Sequence, residues 1–327
     1  PQRCRRDSQS MMKQGSPSLG ATLAHQLRTN ILFLSLFAVL AFLTPNVFAW
    51  LWIRWSSWVA SISLLSPHWV PVFTLTGAVF LVGNFAYIGT SALFAVLDFA
   101  KLPAFLYKRK VQPEQDTAHT CNMGEALWTV FLNGFVYGLA FMAGLSWLAI
   151  SLGTDLSVDH FPSMGESLLH LLAFPFFTEF WFYYTHRLFH WKPLYEAIHK
   201  KHHRFVSPMA MTAIYCHPIE HTLCNITSVL LGPLFLGSHG ILWCGWVFMA
   251  LWNTCNSHSG YSIPFLPSPL EHDYHHYSFN NFFGVLGILD RLHHTDKGVE
   301  LYQERFEQRM QALSASTTSA ASPARRR

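Results

Sequence analysis

The sequence predicts an all-α fold, a polytopic membrane helix bundle that carries a histidine-rich cap on its cytosolic side. Three observations lead to this prediction. The chain has 327 residues, of which 51% are hydrophobic and only 12% charged, about half the charged fraction of soluble domains. Its apolar segments are long enough to cross a bilayer, which takes about 20 residues in a helix. Its histidines recur at helical spacing in the second half of the chain.

The N-terminal third is predicted to consist of a tail and membrane spans. Residues 1–28 are polar and basic, which indicates a disordered cytosolic tail. Residues 29–120 are interpreted as N-terminal transmembrane spans, and Pro45 is expected to kink or end the first of them. Over the whole chain, the apolar segments predict spans at residues 29–53, 70–97, 125–152 and 167–185.

The distribution of basic residues predicts the topology. Lysines and arginines cluster in the tail, in residues 101–110 and in residues 187–204. The positive-inside rule places these segments, and the histidines beside them, in the cytosol. The loops at 54–69 and 153–166 hold one arginine and three acids, which fits the opposite side. Because positive charge is confined to the ends of segments, nucleic acid is not an expected partner.

Residues 121–313 are interpreted as one domain. Residues 222–269 contain no Lys, Arg, Asp or Glu, and we interpret them as a helical hairpin that returns the chain to the same side of the membrane. Residues 298–313 are expected to form an amphipathic surface helix. Residues 314–327 are rich in Ser, Thr and Ala, which predicts a disordered tail.

Histidines are the candidate functional residues. Three clusters are formed by His186 and His190, by His199, His202 and His203, and by His272, His275 and His276, while His258 lies between the last two clusters. On an α-helix, residues three and four apart share a face, so each cluster aims its imidazoles in one direction. A solvated histidine patch would account for neither this spacing nor the apolar flanks. Because burying these rings is costly without a cation and they outnumber the ligands of one tetrahedral zinc, the sequence predicts a di-metal site.

Glu179 lies within the apolar segment 167–185, where a carboxylate is costly and needs a partner. On a helix it falls near the face of Tyr183, His186 and His190. Two interpretations remain open. Glu179 could bond a neighbouring hydroxyl or helix cap, or it could orient one of the histidines.

The histidine motifs resemble those of a known family. The patterns H-x3-H, H-x2-H-H and H-x2-H-H in a multispan chain resemble the fatty acid hydroxylase/sterol desaturase superfamily, over residues 120–297. Four segments look like its sterol C4-methyl oxidase and cholesterol 25-hydroxylase branch, namely 199–208, 215–220, 258–264 and 290–292. The segments 265–276 and 284–293 look closest to the group of fatty acid hydroxylase domain-containing protein 2.

The resemblance implies a non-haem di-iron oxygenase of the endoplasmic reticulum membrane. Such an enzyme uses O2 and two electrons, delivered by cytochrome b5 or its reductase, to oxidise a sterol or other lipid from the bilayer. Carried over by position, all nine histidines would be metal ligands, and His217 and Glu220 match the H-P-x-E motif of the sterol branch. Beside the ligands, we expect supporting roles for Glu179, His217, Glu220 and Asp273. His294 stands where the family commonly has glycine, and we expect this departure to affect packing alone.

The segments around His217 and His258 favour a C4-methyl sterol as substrate, because they resemble the sterol branch. The alternatives are a fatty-acyl hydroxylase or desaturase with the same metal site, and a non-catalytic regulatory membrane protein. A zinc-dependent hydrolase would need about three ligands and not nine, although purified protein could carry zinc in place of iron. No serine nucleophile elbow and no glycine-rich phosphate loop occurs in the sequence.

Overall fold

The computed structural model of the chain describes residue 35, residues 45–115 and residues 117–320. Regular structure in these residues is helical, and extended backbone pairs only at an isolated bridge between Lys110 and Tyr261. The all-α prediction is therefore confirmed for this part of the chain. The predicted tail 1–28 and most of the predicted span 29–53 lie outside the described residues, as do residues 321–327.

The helices follow one another along the described chain with short connections. The α-helices are Pro45–Ala60, Val70–Ala95, Ala104–Tyr107, Thr117–Thr120, Met123–Phe131, Gly138–Ser151, Met164–Phe189, Lys192–Ala197, Pro218–Glu220, Thr227–Phe235, Gly240–Ser257, Leu270–Ser278, Ile288–Leu292 and Val299–Ala320. The π-helical turns are Val96–Ala100, Leu132–Tyr137 and His221–Ile226, and the 3-10 helices are His199–Arg204 and Ala210–Thr212. Turns of the π type are rare in proteins, and many of those that occur lie at functional sites.

Two pairs of helices form the centre of the bundle. Val70–Ala95 packs along Gly240–Ser257, and Met164–Phe189 packs along Thr227–Phe235. The second pair approaches closely at Gly232, where an added Cβ atom would lie 2.9 Å from an aromatic ring of the neighbouring helix. Only glycine permits that distance, so this residue sets the separation of the two helices.

The predicted hairpin in the charge-free segment is confirmed. Its helices Thr227–Phe235 and Gly240–Ser257 pack against each other. They are joined through Gly237, whose φ of +54° lies in the left-handed region that favours glycine. Because the hairpin reverses the chain, His258 at its end returns to the other histidines.

Helix boundaries differ from the prediction near both ends of the described chain. Pro45 is the first described residue of the helix Pro45–Ala60, because residues 36–44 lie outside the part of the chain that the structure describes. The helix continues through residues 54–60, which the charge pattern assigned to a loop, because the tryptophans there extend its apolar surface. The helix Val299–Ala320 runs past residue 313 into the segment expected to be disordered, since its alanines favour helix.

Two helical segments in the described residues are long and apolar enough to cross a membrane, Val70–Ala100 and Met123–Ser151. Within their most apolar windows only 39% and 22% of the residues are buried, and large side chains such as Phe85 and Trp147 are exposed. Soluble proteins rarely expose extended apolar surface, so these helices indicate association with a membrane. Met164–Phe189 is also long enough to cross a membrane, with 26 residues, but its polar side chains make it less apolar than the other two segments.

A buried polar network joins the N-terminal helices to the histidine-bearing segments. The carboxylate of Asp98 accepts hydrogen bonds from Lys110 Nζ at 3.2 Å and from the Tyr261 hydroxyl at 3.0 Å. The Tyr87 hydroxyl donates to the backbone carbonyl of Met211 at 2.9 Å. The two regions that the sequence divides at residue 120 therefore share one core.

Candidate metal centre

Four parts of the chain bring the nine histidines together. The first cluster lies at the C-terminal end of Met164–Phe189, with His190 as its C-cap. The second lies in the 3-10 helix His199–Arg204. His258 is the C-cap of the hairpin's last helix, and the third cluster lies on Leu270–Ser278.

The histidines form two groups, each of which could hold a metal ion. Within a group, one ring nitrogen from each histidine lies within 4.8 Å of those of the others. Group one consists of His186, His190, His199, His203 and His275. Group two consists of His202, His258, His272 and His276.

The Nε2 atoms face one another inside each group. In group one, Nε2 of His199 lies 3.2 Å from that of His186 and 3.0 Å from that of His203. In group two, Nε2 of His272 lies 2.9 Å from that of His258. Converging lone pairs of this kind are the arrangement that a metal ion requires.

Adjacent histidines serve different groups. His203 and His275 belong to group one, whereas His202 and His276 belong to group two. The prediction that each cluster aims its imidazoles in one direction is therefore wrong for the second and third clusters. Consecutive residues on a helix point about 100° apart, so each of these clusters lies between the two groups and contributes to both.

Burial keeps these rings neutral. It lowers the pKa of His202 to about 4, and it lowers the pKa of His203 and His276 well below the usual value. Neighbouring imidazoles lower the pKa of His203 and His276 further, because a second positive charge nearby would be repelled. A neutral imidazole has the free lone pair that binds a metal.

The loop at residues 279–283 orients histidines of group one through its backbone. Nδ1 of His275 lies 2.7 Å from the carbonyl oxygen of Asn281, and Nδ1 of His186 lies 2.8 Å from that of Phe283. A carbonyl can only accept, so Nδ1 must carry the proton and Nε2 keeps its lone pair. The loop thus fixes the tautomer of histidines from two different clusters.

Two buried carboxylates hold the chain that follows this loop. Glu179 accepts three backbone N–H bonds from residues 285–289, at 2.6 to 2.9 Å. Asp290 accepts two more, from Phe283 at 2.8 Å and Gly284 at 2.7 Å. A Cβ atom on Gly284 would lie 2.8 Å from both carboxylates, so only glycine fits between them. Glu179 binds backbone N–H groups, as a cap does, and acts on the histidines through residues 285–289, which follow the loop that orients them.

Glu220 and His217 lie beside the second cluster. Oε1 of Glu220 is 2.8 Å from Nδ1 of His199, although the contact lacks the alignment of a hydrogen bond. His217 is the N-cap of the short helix that carries Glu220, where its Nδ1 accepts the N–H of Ile219 at 3.2 Å. Glu220 therefore lies beside a candidate ligand, and His217 caps the short helix that holds Glu220 in that place.

Asp273 fastens the third cluster to distant parts of the chain. It is fully buried, and its Oδ1 accepts hydrogen bonds from Gln112 Nε2 at 2.8 Å and from the Tyr302 hydroxyl. These bonds position the helix Leu270–Ser278 against the N-terminal region and against the last helix. Asp273 thus supports the histidines by holding their helix.

His294 occupies a position that suits the glycine of the family pattern. Its φ of +58° lies in the left-handed region, where glycine is the least strained residue. No role was predicted from the sequence for Asp290 or Gly284. The available signal was a glycine followed by an acid in an apolar segment, which is typical of a close backbone approach.

A cavity of about 600 Å³ ends at both histidine groups. It reaches His186 and His199 of group one, and His202, His258 and His272 of group two. Most of its wall is apolar, with side chains such as those of Phe80, Phe176, Phe182, Leu230 and Trp246. Its volume falls within the roughly 300–1,000 Å³ of ligand pockets, so a lipid-sized molecule would fit against the histidines.

Fold and site together define a class of helical, membrane-associated proteins in which two histidine groups face an apolar cavity. The chain belongs to the fatty acid hydroxylase family, whose sequence profile matches residues 171–295. The predicted resemblance to this superfamily is confirmed.

Relatives agree with this assignment. The chain is similar to fatty acid hydroxylase domain-containing protein 2 of Homo sapiens, with 37% identity over 207 residues, which are 63% of this chain and 62% of that protein. It is 31% identical to methylsterol monooxygenase 1 of Rattus norvegicus over 221 residues, 63% of this chain and 75% of the relative. It is 28% identical to a fatty acid hydroxylase of Mycosarcoma maydis over 208 residues, 63% and 53% of the two chains. The chain thus spans less than two thirds of the human relative, and no solved structure matches it.

Proposed function

We propose that the chain is a membrane-bound non-haem di-iron oxygenase that hydroxylates or oxidises a sterol, with a C4-methyl sterol as the favoured substrate. The observation that carries the proposal is the apolar cavity that ends at histidines of both groups. The relatives named methylsterol monooxygenase 1 and fatty acid hydroxylase support oxidation of a lipid. O2 is the second substrate, and cytochrome b5 or its reductase is the proposed electron donor.

The residues present fit two metal ions. The ring nitrogens of nine imidazoles converge in two groups, and imidazole is a ligand that suits iron. Nε2 of His275 is buried without a hydrogen-bond partner in the described chain, as expected of an atom meant for a cation. Bound there, two iron ions would supply the activation of O2 that oxidation of an unactivated C–H bond requires. Zinc, which binds the same ligands, could replace iron in a purified sample.

The protein's own side chains hold the substrate and exclude water. The apolar wall of the cavity binds a hydrocarbon skeleton and brings one of its carbons to the histidines. The same wall keeps water from the reacting carbon. Because the helices around the cavity expose apolar side chains on their outer faces, the substrate enters from the lipid phase.

A sterol is favoured over a fatty-acyl chain on the basis of two motifs. The sequences His217-Pro-Ile-Glu220 and His258-Ser-Gly-Tyr261 resemble the sterol branch. The proposal is supported by the 2.8 Å distance between Glu220 and His199 of group one, and by the membership of His258 in group two. A fatty-acyl hydroxylase or desaturase would use the same histidines. A regulatory protein without catalysis would not need nine of them.

The function is tested by sterol analysis of cells. In cells that lack the chain, we expect C4-methyl sterols to accumulate severalfold, and the parent chain should restore their level. The double variant H202A/H203A removes one candidate ligand from each group, so at equal abundance it should restore nothing. Rescue by this variant would exclude the oxygenase, and a change confined to hydroxylated fatty acids in the parent would exclude the sterol.

We also propose that the chain crosses the endoplasmic reticulum membrane several times, with spans in residues 29–120 and again at residues 125–152 and 167–185, and with the histidine clusters facing the cytosol. A glycosylation acceptor inserted beside Lys192 should therefore stay unmodified, because the positive-inside rule places the basic segment 187–204 in the cytosol. The same acceptor inserted at Ser157, in the opposite loop, should be modified. The measurement is the mobility of each variant before and after enzymatic removal of glycans, and modification at Lys192 alone would reverse the topology.

A further inference from the structure

The cavity that ends at the histidines opens to the exterior beside the helix Met164–Phe189. Of the described residues that line the cavity, three keep more than a third of their surface exposed, namely Leu172 with 60%, Phe176 with 57% and Val285 with 36%. A side chain that lines a cavity and is also exposed lies where that cavity opens. Because all three side chains are apolar, the opening has a hydrocarbon rim.

The three rim residues lie together, although Val285 is more than 100 residues away from the other two in the chain. Leu172, Phe176 and Glu179 are four and three residues apart on one helix, so their side chains fall within about 60° of one another around its axis. Glu179 accepts the backbone N–H of Val285 at 2.6 Å and that of Leu286 at 2.7 Å. The buried carboxylate thus holds Val285 beside this stripe of the helix and gives the opening a fixed edge.

The opening lies at the depth of the hydrocarbon layer. Phe176 is ten residues before His186 on the same helix, which is about 15 Å along the axis, and Leu172 is about 6 Å farther. Both residues lie in the apolar segment 167–185, for which we propose a span of the bilayer, whose hydrocarbon core is about 30 Å thick. Since His186 lines the same cavity, a molecule dissolved in the lipid can reach the histidines without crossing water.

We propose that the sterol enters the cavity from the bilayer through this opening, the lateral mouth, whose rim is formed by Leu172, Phe176 and Val285. The inference rests on the proposed function and adds the route by which the substrate reaches the histidines. A sterol skeleton that passes an apolar rim at this depth stays out of water throughout. A lipid with a charged head group would have to lose its hydration to pass, which is costly. The lateral mouth therefore selects neutral lipids with little polar surface.

Bulky side chains on the rim test the route. Leu172→Trp and Val285→Trp narrow the lateral mouth. Leu169→Trp is the matched control, because Leu169 is 67% exposed on the same helix but does not line the cavity. With full-length chain in lipid nanodiscs that contain a C4-methyl sterol, we expect kcat/KM to fall about 10-fold in both rim variants and to keep the parent's value in the control. Metal content should equal that of the parent in all three variants, since exposed positions away from the histidines are changed.

Photo-cross-linking tests the same route without turnover. The probe is a C4-methyl sterol that carries a diazirine, irradiated in nanodiscs with the full-length parent. We expect the probe to attach to Leu172, Phe176 and Val285, and an excess of the unmodified sterol should suppress this attachment. Leu169 and Phe180 are exposed on the same helix without lining the cavity. Attachment to these two residues should not respond to the competitor, because it reports on the surrounding lipid.

The outcomes separate the route from the proposed function. Rim variants that are as active as Leu169→Trp, or attachment to the rim that the competitor leaves unchanged, would overturn the lateral mouth. A parent that oxidises no sterol would instead refute the sterol oxygenase, and suppressible attachment to the rim would then still support the route. If a tryptophan variant does not fold, cross-linking of the parent decides.

Discussion

Replacing His275 with alanine is expected to lower the bound metal from two ions per chain to one or fewer. His275 is one of the five candidate ligands of group one, and its Nε2 is buried without a hydrogen-bond partner in the described chain. His276→Ala should lower the metal content in the same way through group two. Elemental analysis of chain purified from iron-supplemented cells measures both.

The matched control is His160→Ala. This histidine is exposed and lies in the loop between residues 152 and 163, away from both groups. We expect it to bind as much metal as the parent. If His275→Ala also retained two ions per folded chain, group one would not be a metal site.

Replacing Glu179 with glutamine is the second change with a large expected effect. Glutamine keeps the size of the side chain but offers one acceptor oxygen, and its NH2 group would face backbone N–H donors. Because Glu179 is buried, we expect the free energy of unfolding to fall by about 3 kcal/mol. Since the released residues 285–289 directly follow the loop that orients His186 and His275, metal content should fall as well.

Glu166→Gln, in the exposed first turn of the same helix, provides the control and should change neither quantity. Thermal unfolding and metal content are measured on the same samples. Lower stability with a full complement of metal would mean that Glu179 holds the loop without positioning the histidines. Glu179→Asp should recover part of both, because it restores a charged acceptor.

The sequence was sufficient to identify the nine histidines that the structure brings together in two groups. Nine histidines in an apolar chain are costly to bury unless they bind a cation, and their spacing places them on helices. Their division between two groups could not be predicted, because it depends on the direction in which each helix enters the centre. His202 and His203 are neighbours in the chain, yet they face different groups.

The groups that orient the histidines were harder to predict because several of them are backbone atoms. The carbonyl groups of Asn281 and Phe283 carry no signature in the sequence, since any residue could supply them. Glu179 was identified as a costly carboxylate, but its partners lie more than 100 residues away in the chain. Such distant pairing becomes visible only once the helices are packed.

The buried network around Asp98 bears on how this protein can be divided. A fragment that began at residue 121 would lose Lys110 and Asp98, the partners of Tyr261, and the helix that packs along Gly240–Ser257. The region from residue 121 onward is therefore not an autonomous module, and the N-terminal helices are more than an anchor. Chimaeras between family members should succeed only when Asp98, Lys110 and Tyr261 are exchanged as one set, because they fasten the first part of the chain to the residues that follow His258.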